Sequence, residues 1–367
     1  MYSELPFDSR TAHPYHMYDE IKGQPDSVRR SLERVEEQGS KITCLLAQAR
    51  RIFLIGSGTS LHAAEIGAWF LRSFSQGRME TISLQSYEMA LYFPGLRPDD
   101  VVVLVSHSGT SAMGIRALER AHRSGAETVL LTGFTDSPAA GVARHVLQTG
   151  FDRESSWAHT ASYTAALTTI AALANNLAAP EEHLDLSPLP DVIGDVLGLE
   201  ELVHRLAAGA IVVGREAGEA PMFIVGAGPN APTAREVQLK ILETSYLRPL
   251  ASELEQVLHG PLAAVSSDAL FVLVAPPGPS TERAAALAQS LVRLEVTPVV
   301  LCGDGNVEAF GESHRLVIPD VPEIISPIPA IVPLQLFAYF LAVGRGLNPD
   351  LIHRDDERQR AARAQYE

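Results

Sequence analysis

One repeated pattern constrains the fold of this chain more than any other: an apolar strand, a glycine-containing turn and a helix follow one another, and the series occurs twice. The segment IFLIGSGTS at 52–60 has the form of MFIVGAGPN at 222–230, and VVVLVSHSGTS at 101–111 has the form of LFVLVAPPGPS at 270–280. The offset of about 170 residues between the copies indicates an internal duplication. The strands are apolar throughout, as expected for parallel strands covered on both faces. We therefore predict an α/β protein with two tandem, doubly wound domains, each built on a parallel sheet.

The length of 367 residues suits two such domains of about 150–170 residues each. A stretch rich in proline and acidic residues at 178–191 has neither strand nor helix periodicity and starts the linker between them. We predict four parts: a helical lead-in at 1–50, a first domain at 51–190, a second domain at 191–350 and a tail at 351–367. Predicted helices are 60–74, 111–124, 160–178, 192–211 and 281–295, and predicted strands include 51–56, 79–84, 101–106 and 127–133.

Charge and composition exclude several classes of function. The formal net charge of −15 argues against a nucleic-acid partner, because a phosphate backbone is held by clustered Lys and Arg. We find no apolar run long enough to span a bilayer and no signal peptide at the N-terminus, and we predict no membrane association. Cys44 and Cys302 are far apart, which suits a reducing, cytoplasmic location.

Neither a metal nor a cofactor is predicted. His13 and His16 lie in HPYH without a nearby carboxylate or cysteine cluster, so we interpret them as structural or exposed. The turn GSGTSLHA at 56–63 lacks the third glycine of a dinucleotide loop, and no acidic residue ends the next predicted strand. We therefore expect no nucleotide cofactor at this turn.

The two copies differ in their hydroxyl groups, and this difference points to a ligand. Hydroxyl residues follow two strands of the first copy, whereas the matching turns of the second copy read AGPN and APPGPS. The hydroxyl residues are Ser57, Thr59, Ser60, Ser106, Ser108, Thr110 and Ser111. Ligands of open α/β sheets bind at the carboxyl ends of strands, where helix starts offer free N–H groups. A phosphate monoester fits such a place; the alternative is ordinary helix N-capping by Ser and Thr.

Four segments in this order resemble the sugar isomerase (SIS) family, in the form of the isomerase domain of glucosamine-6-phosphate synthase. They are SGTS, SHSGTS, ETSYLRPLASELEQVLHGPL and EIISPIPAIVPLQLFAYFLAVGRGLNPD. The resemblance implies two tandem SIS-type domains and a sugar-phosphate ligand. It implies phosphate contacts from Ser60, Ser106, His107, Ser108 and Ser111, with His107 standing where the family usually has Gln. The turn residues Ser57, Gly58 and Thr59 are expected to contact the same substrate.

The second half supplies candidates for proton chemistry, and these too rest on the resemblance. Glu243 stands at the place of the family's catalytic glutamate, and a carboxylate is suited to moving a proton between adjacent carbons of an open-chain sugar. Lys240 lies three residues earlier on the same helix and is expected to pair with Glu243 or the sugar. His259 matches the family's ring-opening histidine, which reaches into a neighbouring subunit's site. A homodimer is therefore expected, with the apolar helices 160–178 and 327–346 as its surfaces.

Other features limit what the resemblance implies. The chain begins about where the isomerase domain would, so we expect no glutamine-dependent amide transfer. Ala362 occupies the place of a family lysine that forms a Schiff base with the sugar. The segment ESSWAHTASYT at 154–164 resembles that of aminosugar-phosphate deaminase/isomerases more closely. Trp157, His159 and Thr160 in this segment either wall the sugar site or pack in an interface core.

Three functions remain open at this stage. The first is an isomerase or deaminase acting on a hexose(amine) 6-phosphate through an enediol. The second is a deglycase acting on fructosamine 6-phosphate, and the third is a non-catalytic regulatory protein that binds a sugar phosphate. Glu243 and His259 favour an enzyme, because a sensor would need neither residue.

Overall fold

The computed structural model describes residues 9–217 and 221–365, which contain two five-stranded parallel sheets. The first sheet consists of β1 (Arg51–Gly56), β2 (Glu80–Gln85), β3 (Asp100–Val105), β4 (Glu127–Thr132) and β5 (His145–Gln148). The second sheet consists of β6 (Met222–Gly226), β7 (Leu250–Glu253), β8 (Leu270–Val274), β9 (Val299–Gly303) and β10 (His314–Ile318).

Both sheets have the same strand order. It is β2-β1-β3-β4-β5 in the first sheet and β7-β6-β8-β9-β10 in the second, with every neighbouring pair parallel. The order changes direction beside β1 and beside β6, which creates a crevice at the carboxyl ends of the strands. The prediction of two doubly wound α/β units related by duplication is confirmed.

Helices connect the strands and fill the space around the sheets. In chain order they are α1 (His16–Lys22), α2 (Gln24–Gln38), α3 (Ser40–Gln48), α4 (Thr59–Phe74), α5 (Ser86–Leu91), α6 (Ala112–Arg123), α7 (Ala161–Asn175), α8 (Leu189–Leu197), α9 (Glu200–Ala217), α10 (Ala231–Thr244), α11 (Leu254–Leu258), α12 (Thr281–Arg293), α13 (Pro327–Gly344) and α14 (Glu357–Arg363).

The two sheets share one continuous core. Side chains from the inward faces of both sheets, such as Leu54 and Ile224, pack with the helices of a central layer that includes α2, α4, α7, α10 and α13. The outer face of the first sheet is covered by α5 and α6, and that of the second sheet by α11 and α12. Since α4 and α10 pack against each other in the central layer, residues from both halves meet there.

The apolar helices predicted as subunit surfaces are instead internal. All residues of α7 are buried, and α13 is buried from Pro327 to Ala342. They pack against α2, α4, α9 and α10 of the same chain, so the prediction that they form subunit surfaces is wrong. The expectation that no apolar run could span a bilayer also needs correction. Helix α13 meets that test by length and composition, but 89% of it is buried, which makes it a core helix.

Some element predictions fail for identifiable reasons. The edge strands β5, β7 and β10 were not predicted, because they are short and their partly exposed residues give no continuous apolar run. The single helix predicted at 192–211 is two helices, α8 and α9, separated at Gly198 and Leu199. Glycine at 198 weakens a continuous helix, because Gly costs about 1 kcal/mol more than Ala in a helix interior.

Candidate functional site

The turn between β1 and α4 carries the first group of hydroxyls, and its glycines are required by the backbone. A Cβ on Gly56 would lie 2.3 Å from the carbonyl oxygen of Ser60, and Gly58 has a φ of +56°. Both requirements recur in the second half, where a Cβ on Gly226 would lie 2.1 Å from a backbone oxygen and Gly228 has a φ of +52°. The chain therefore turns sharply at both places and presents the N–H groups of a helix start beside the end of a strand.

The turn between β3 and α6 carries the second group, and it lies beside the first turn because β3 pairs with β1. Ser106 is buried at the end of β3, and the hydroxyl oxygens of Ser108 and Thr110 are 2.8 Å apart in a hydrogen bond. Ser111 is the N-cap of α6 and accepts a hydrogen bond from the N–H of Gly114 at 3.3 Å. Capping, the alternative explanation for these hydroxyls, therefore accounts for Ser111 but not for the hydroxyls of Ser106 and Ser108.

The equivalent crevice of the second half is occupied by an acidic side chain. A Cβ on Gly278 would lie 2.4 Å from the carboxyl carbon of Glu323, so this carboxyl group packs directly on the turn between β8 and α12. Burial raises the pKa of Glu323, while a hydrogen bond from Ser280 opposes that shift. A carboxyl group in this place disfavours an anionic ligand, which supports a phosphate site in the first half alone.

His107 lies in the second hydroxyl turn with both ring nitrogens shielded from solvent. Burial lowers its pKa to about 4, although the negative charge of Glu154 opposes the shift. Its ring packs edge-on against His159 and Phe134, with centroids 5.2 Å and 5.4 Å away. Among the described residues neither ring nitrogen has a hydrogen-bond partner. A neutral imidazole donates one hydrogen bond to a phosphate but adds no charge to the site.

A buried polar network joins the first turn to α10. Glu236 is completely buried and accepts hydrogen bonds from the hydroxyl of Thr59 at 3.0 Å and from Nδ1 of His62 at 2.6 Å. The ammonium of Lys240 lies 3.5 Å from the same carboxylate and 2.5 Å from Oε2 of Glu243. The predicted pair Lys240–Glu243 is therefore formed, and Glu236 links it to the hydroxyl turn.

Sequence reasoning missed Glu236 and His62. The sequence does contain a signal for Glu236, because it lies four residues before Lys240 on a helix with few charges on that face. Lys240 is also completely buried, and this alone would lower its pKa. The charges of Glu243 and Glu236 outweigh burial and raise the pKa, so the ammonium stays protonated beside both carboxylates.

Of the three residues proposed as walls of the sugar site, His159 lines the cavity, whereas Trp157 and Thr160 lie beside it. Thr160 is buried, and its N–H donates to Glu154 at 2.6 Å. The ring of Trp157 lies 3.7 Å from the guanidinium of Arg354, in the C-terminal segment. The cavity between the hydroxyl turns and α7 is lined by Thr59, Ser60, Ala63, Val105, His107, Leu131, Thr132, Thr149, His159, Ser162, Tyr163 and Ala166.

His259 lies on the surface of the single chain. Its side chain is 69% exposed, and its Nε2 lies 3.1 Å from Glu255, which also forms an ion pair with Arg283. The described chain therefore does not join His259 to the hydroxyl turns, and its expected role in a neighbouring subunit stays a prediction.

The two-part organisation of the chain matches a known protein family. The model of the SIS domain family matches residues 45–176 and 218–344, one segment in each half. The chain belongs to the SIS family. Among curated SIS relatives, the glutamine–fructose-6-phosphate aminotransferase of Methanothermobacter thermautotrophicus is 30% identical over 340 residues. That match covers 92% of this chain and 56% of the relative, so the chain spans little more than half of that protein.

Solved SIS structures share the fold at low sequence identity. The C-terminal domain of glucosamine-fructose-6-phosphate aminotransferase from Francisella tularensis has a TM-score of 0.82 at 18% identity, covering 93% of this chain and 99% of that one. Tagatose-6-phosphate ketose/aldose isomerase from Escherichia coli has a TM-score of 0.77 at 21% identity, with 93% and 97% covered. Glucosamine-6-phosphate deaminase from Thermotoga maritima has a TM-score of 0.68 at 20% identity, with 92% and 97% covered.

Proposed function

We propose that this SIS chain isomerises or deaminates a hexose(amine) 6-phosphate by proton transfer through an enediol-type intermediate. The observation that carries the proposal is the contact between the two halves. Thr59, in the hydroxyl turn, binds Glu236, and Glu236 shares Lys240 with Glu243. A phosphate held at the turns would thus place the rest of the sugar within reach of carboxylates on α10.

The roles follow from the chemistry of these groups. The turns around Ser60, Ser106 and Ser108 bind the phosphate through hydroxyls and the N–H groups of the helix starts. Glu243 is the base, since it is partly exposed whereas Glu236 is enclosed. Lys240 pairs with both carboxylates and places a positive charge beside the base. An isomerase and a deaminase are both among the proteins that share this fold.

Replacing Glu243 with Gln tests the proposal, because it keeps the shape of the side chain and removes the base. We expect turnover of a hexose or hexosamine 6-phosphate to fall by about 10²–10⁴-fold while phosphate affinity stays nearly constant. The measurement is exchange of the substrate's C2 hydrogen with deuterated solvent, followed by NMR. A matched control is Glu295→Gln, in an exposed turn after α12. If Glu243→Gln exchanges at the wild-type rate, Glu243 is not the base and a binding-only role becomes the better explanation.

A further inference from the structure

A second histidine lines the candidate site close to the phosphate turns. His159 lies just before α7 and borders the same cavity as Thr59, Ser60 and His107. Its side chain is 33% exposed, so solvent and a ligand can both reach the ring. The sequence predicted it as a wall of the sugar site, without a role in proton transfer.

A buried carboxylate lies close to this histidine. Nδ1 of His159 lies 3.9 Å from Oε2 of Glu154, whose side chain is completely buried. Glu154 accepts hydrogen bonds from the N–H of Thr160 and from the N–H and hydroxyl of Ser162, at the first turn of α7. Burial by itself would raise the pKa of Glu154, but His159, His107 and these hydrogen bonds outweigh it and lower the pKa. Glu154 is therefore an anion, and its carboxylate lies beyond hydrogen-bond distance of His159 but close enough to attract the ring electrostatically when the ring is protonated.

Charged and titratable groups from other elements also face this pair. Burial raises the pKa of Glu20, on α1, to about 9, so it is an uncharged acid at neutral pH. Lys240, on α10, interacts electrostatically with Glu154, and Asp152 interacts with His107. The anion Glu154, next to His159, is thus stabilised by N–H groups at the start of α7 and by the ammonium of Lys240.

The other histidines in this region are less suited to transferring protons. His107 is enclosed and held neutral, because burial lowers its pKa to about 4. His62 is bound to Glu236 at 2.6 Å, and His259 is on the surface beside Glu255. His159 alone among these four combines a carboxylate partner, partial exposure and a place in the cavity wall.

We propose that His159, beside the carboxylate of Glu154, contacts the sugar and moves protons between the oxygens on its first two carbons; this rests on the proposed function. When Glu243 removes the C2 hydrogen as a proton, the His159 imidazolium protonates the carbonyl oxygen on C1 and an enediol forms. The imidazole then takes the proton of the C2 hydroxyl as the new carbonyl forms, and Glu243 returns its proton to C1. Both groups end in their starting states, so no co-reactant is consumed.

The test compares His159→Gln with His145→Gln, a control at the start of β5 that pairs with Glu127. Two probes are titrated calorimetrically, glucitol 6-phosphate as an open-chain analogue and inorganic phosphate alone. For His159→Gln we expect glucitol 6-phosphate to bind about threefold to tenfold more weakly, with phosphate binding unchanged. We also expect a loss of turnover of about 10²-fold or more, and wild-type behaviour of the control in every assay.

Each other result has a distinct meaning. Wild-type turnover in His159→Gln overturns the acid–base role. Equal losses for glucitol 6-phosphate and phosphate show that the substitution merely disturbs the turns, and also overturn it. If the wild type converts no hexose 6-phosphate, the proposed function fails and the acid–base role fails with it. The comparison of the two probes then still decides whether His159 contacts the sugar.

Discussion

At the scale of single residues, Glu20 is an acid whose surroundings raise its pKa far above the ordinary value. Its side chain lies between α1 and the segment before α7, where Oε1 accepts hydrogen bonds from the N–H groups of Ser155 and Ser156. Burial, with the nearby charge of Glu154, raises the pKa of Glu20 to about 9. In the unfolded chain the same acid ionises near its ordinary pKa of about 4.5. Between about pH 4.5 and pH 9, Glu20 is therefore protonated in the folded chain and ionised in the unfolded chain.

This difference predicts a pH dependence of stability with a definite sign. Because the pKa of Glu20 is higher in the folded chain than in the unfolded chain, Glu20 stabilises the fold fully below the unfolded-state pKa. This stabilisation is lost as the pH rises towards the folded-state pKa of about 9. Between pH 6 and pH 8 we expect the Glu20 contribution to the free energy of unfolding to fall by about 2–3 kcal/mol. Glu20→Gln imitates the protonated acid and should remove that decline, as measured by urea unfolding at both pH values.

Glu200→Gln is the control for this experiment. Glu200 is partly buried, but hydrogen bonds from Lys22 and Tyr18 lower its pKa. Its contribution is therefore lost only in acid, and the variant should retain the wild-type decline between pH 6 and pH 8. If Glu20→Gln also retains the full decline, Glu20 is not the protonated group.

At the scale of elements, the two hydroxyl turns and their counterparts in the second half differ in what fills them. The turn after β3 carries the hydroxyls of Ser106 and Ser108, whereas the turn after β8 is covered by the carboxyl group of Glu323. Ser106→Ala or Ser108→Ala should weaken binding of fructose 6-phosphate by about 1–3 kcal/mol, the range for a lost hydrogen bond to a charged group. Ser280→Ala, at the matching place, should have little effect because Ser280 is bound to Glu323.

Titration calorimetry on the three variants measures this difference. Equal losses in both halves would contradict the assignment of the phosphate to the first half. Thermal unfolding of each variant without ligand separates a binding effect from a loss of fold.

At the scale of the whole molecule, we propose that the chain assembles into at least a dimer. His259 is exposed, as a residue that completes a neighbour's site would be in an isolated chain. Helices α7 and α13, predicted to form the interface, are internal, so we expect a different surface to form the dimer contact. We expect sedimentation at micromolar concentration to give at least a dimer, and a fully active monomer would refute this expectation.

Subunit complementation tests whether the site is shared. Glu243→Gln and His259→Asn should each be inactive alone. If His259 acts across the interface, mixed dimers contain one site with both residues intact, and an equimolar mixture should regain about a quarter of wild-type activity. No recovery after exchange of subunits, verified by tagged copies, would place both residues in the same subunit's site.

The sequence by itself determined the α/β class, the duplication, the sugar-phosphate family and the hydroxyl turns, because these depend on local patterns. Continuous apolar strands and the glycines at 56 and 226 are visible without knowing any long-range contact. The candidate pair Lys240–Glu243 was also predicted, since residues three apart on a helix lie on one face.

Only the tertiary structure decided which distant groups meet. The contact of Thr59 and His62 with Glu236 depends on α4 packing against α10, about 170 residues away in the chain. The burial of α7 and α13 depends on helices that cover them from both halves, which an apolar sequence alone cannot distinguish from a subunit interface. The protonation of Glu20 and the ionisation of Glu154 likewise arise from burial and neighbouring charges, and these exist only once the chain has folded.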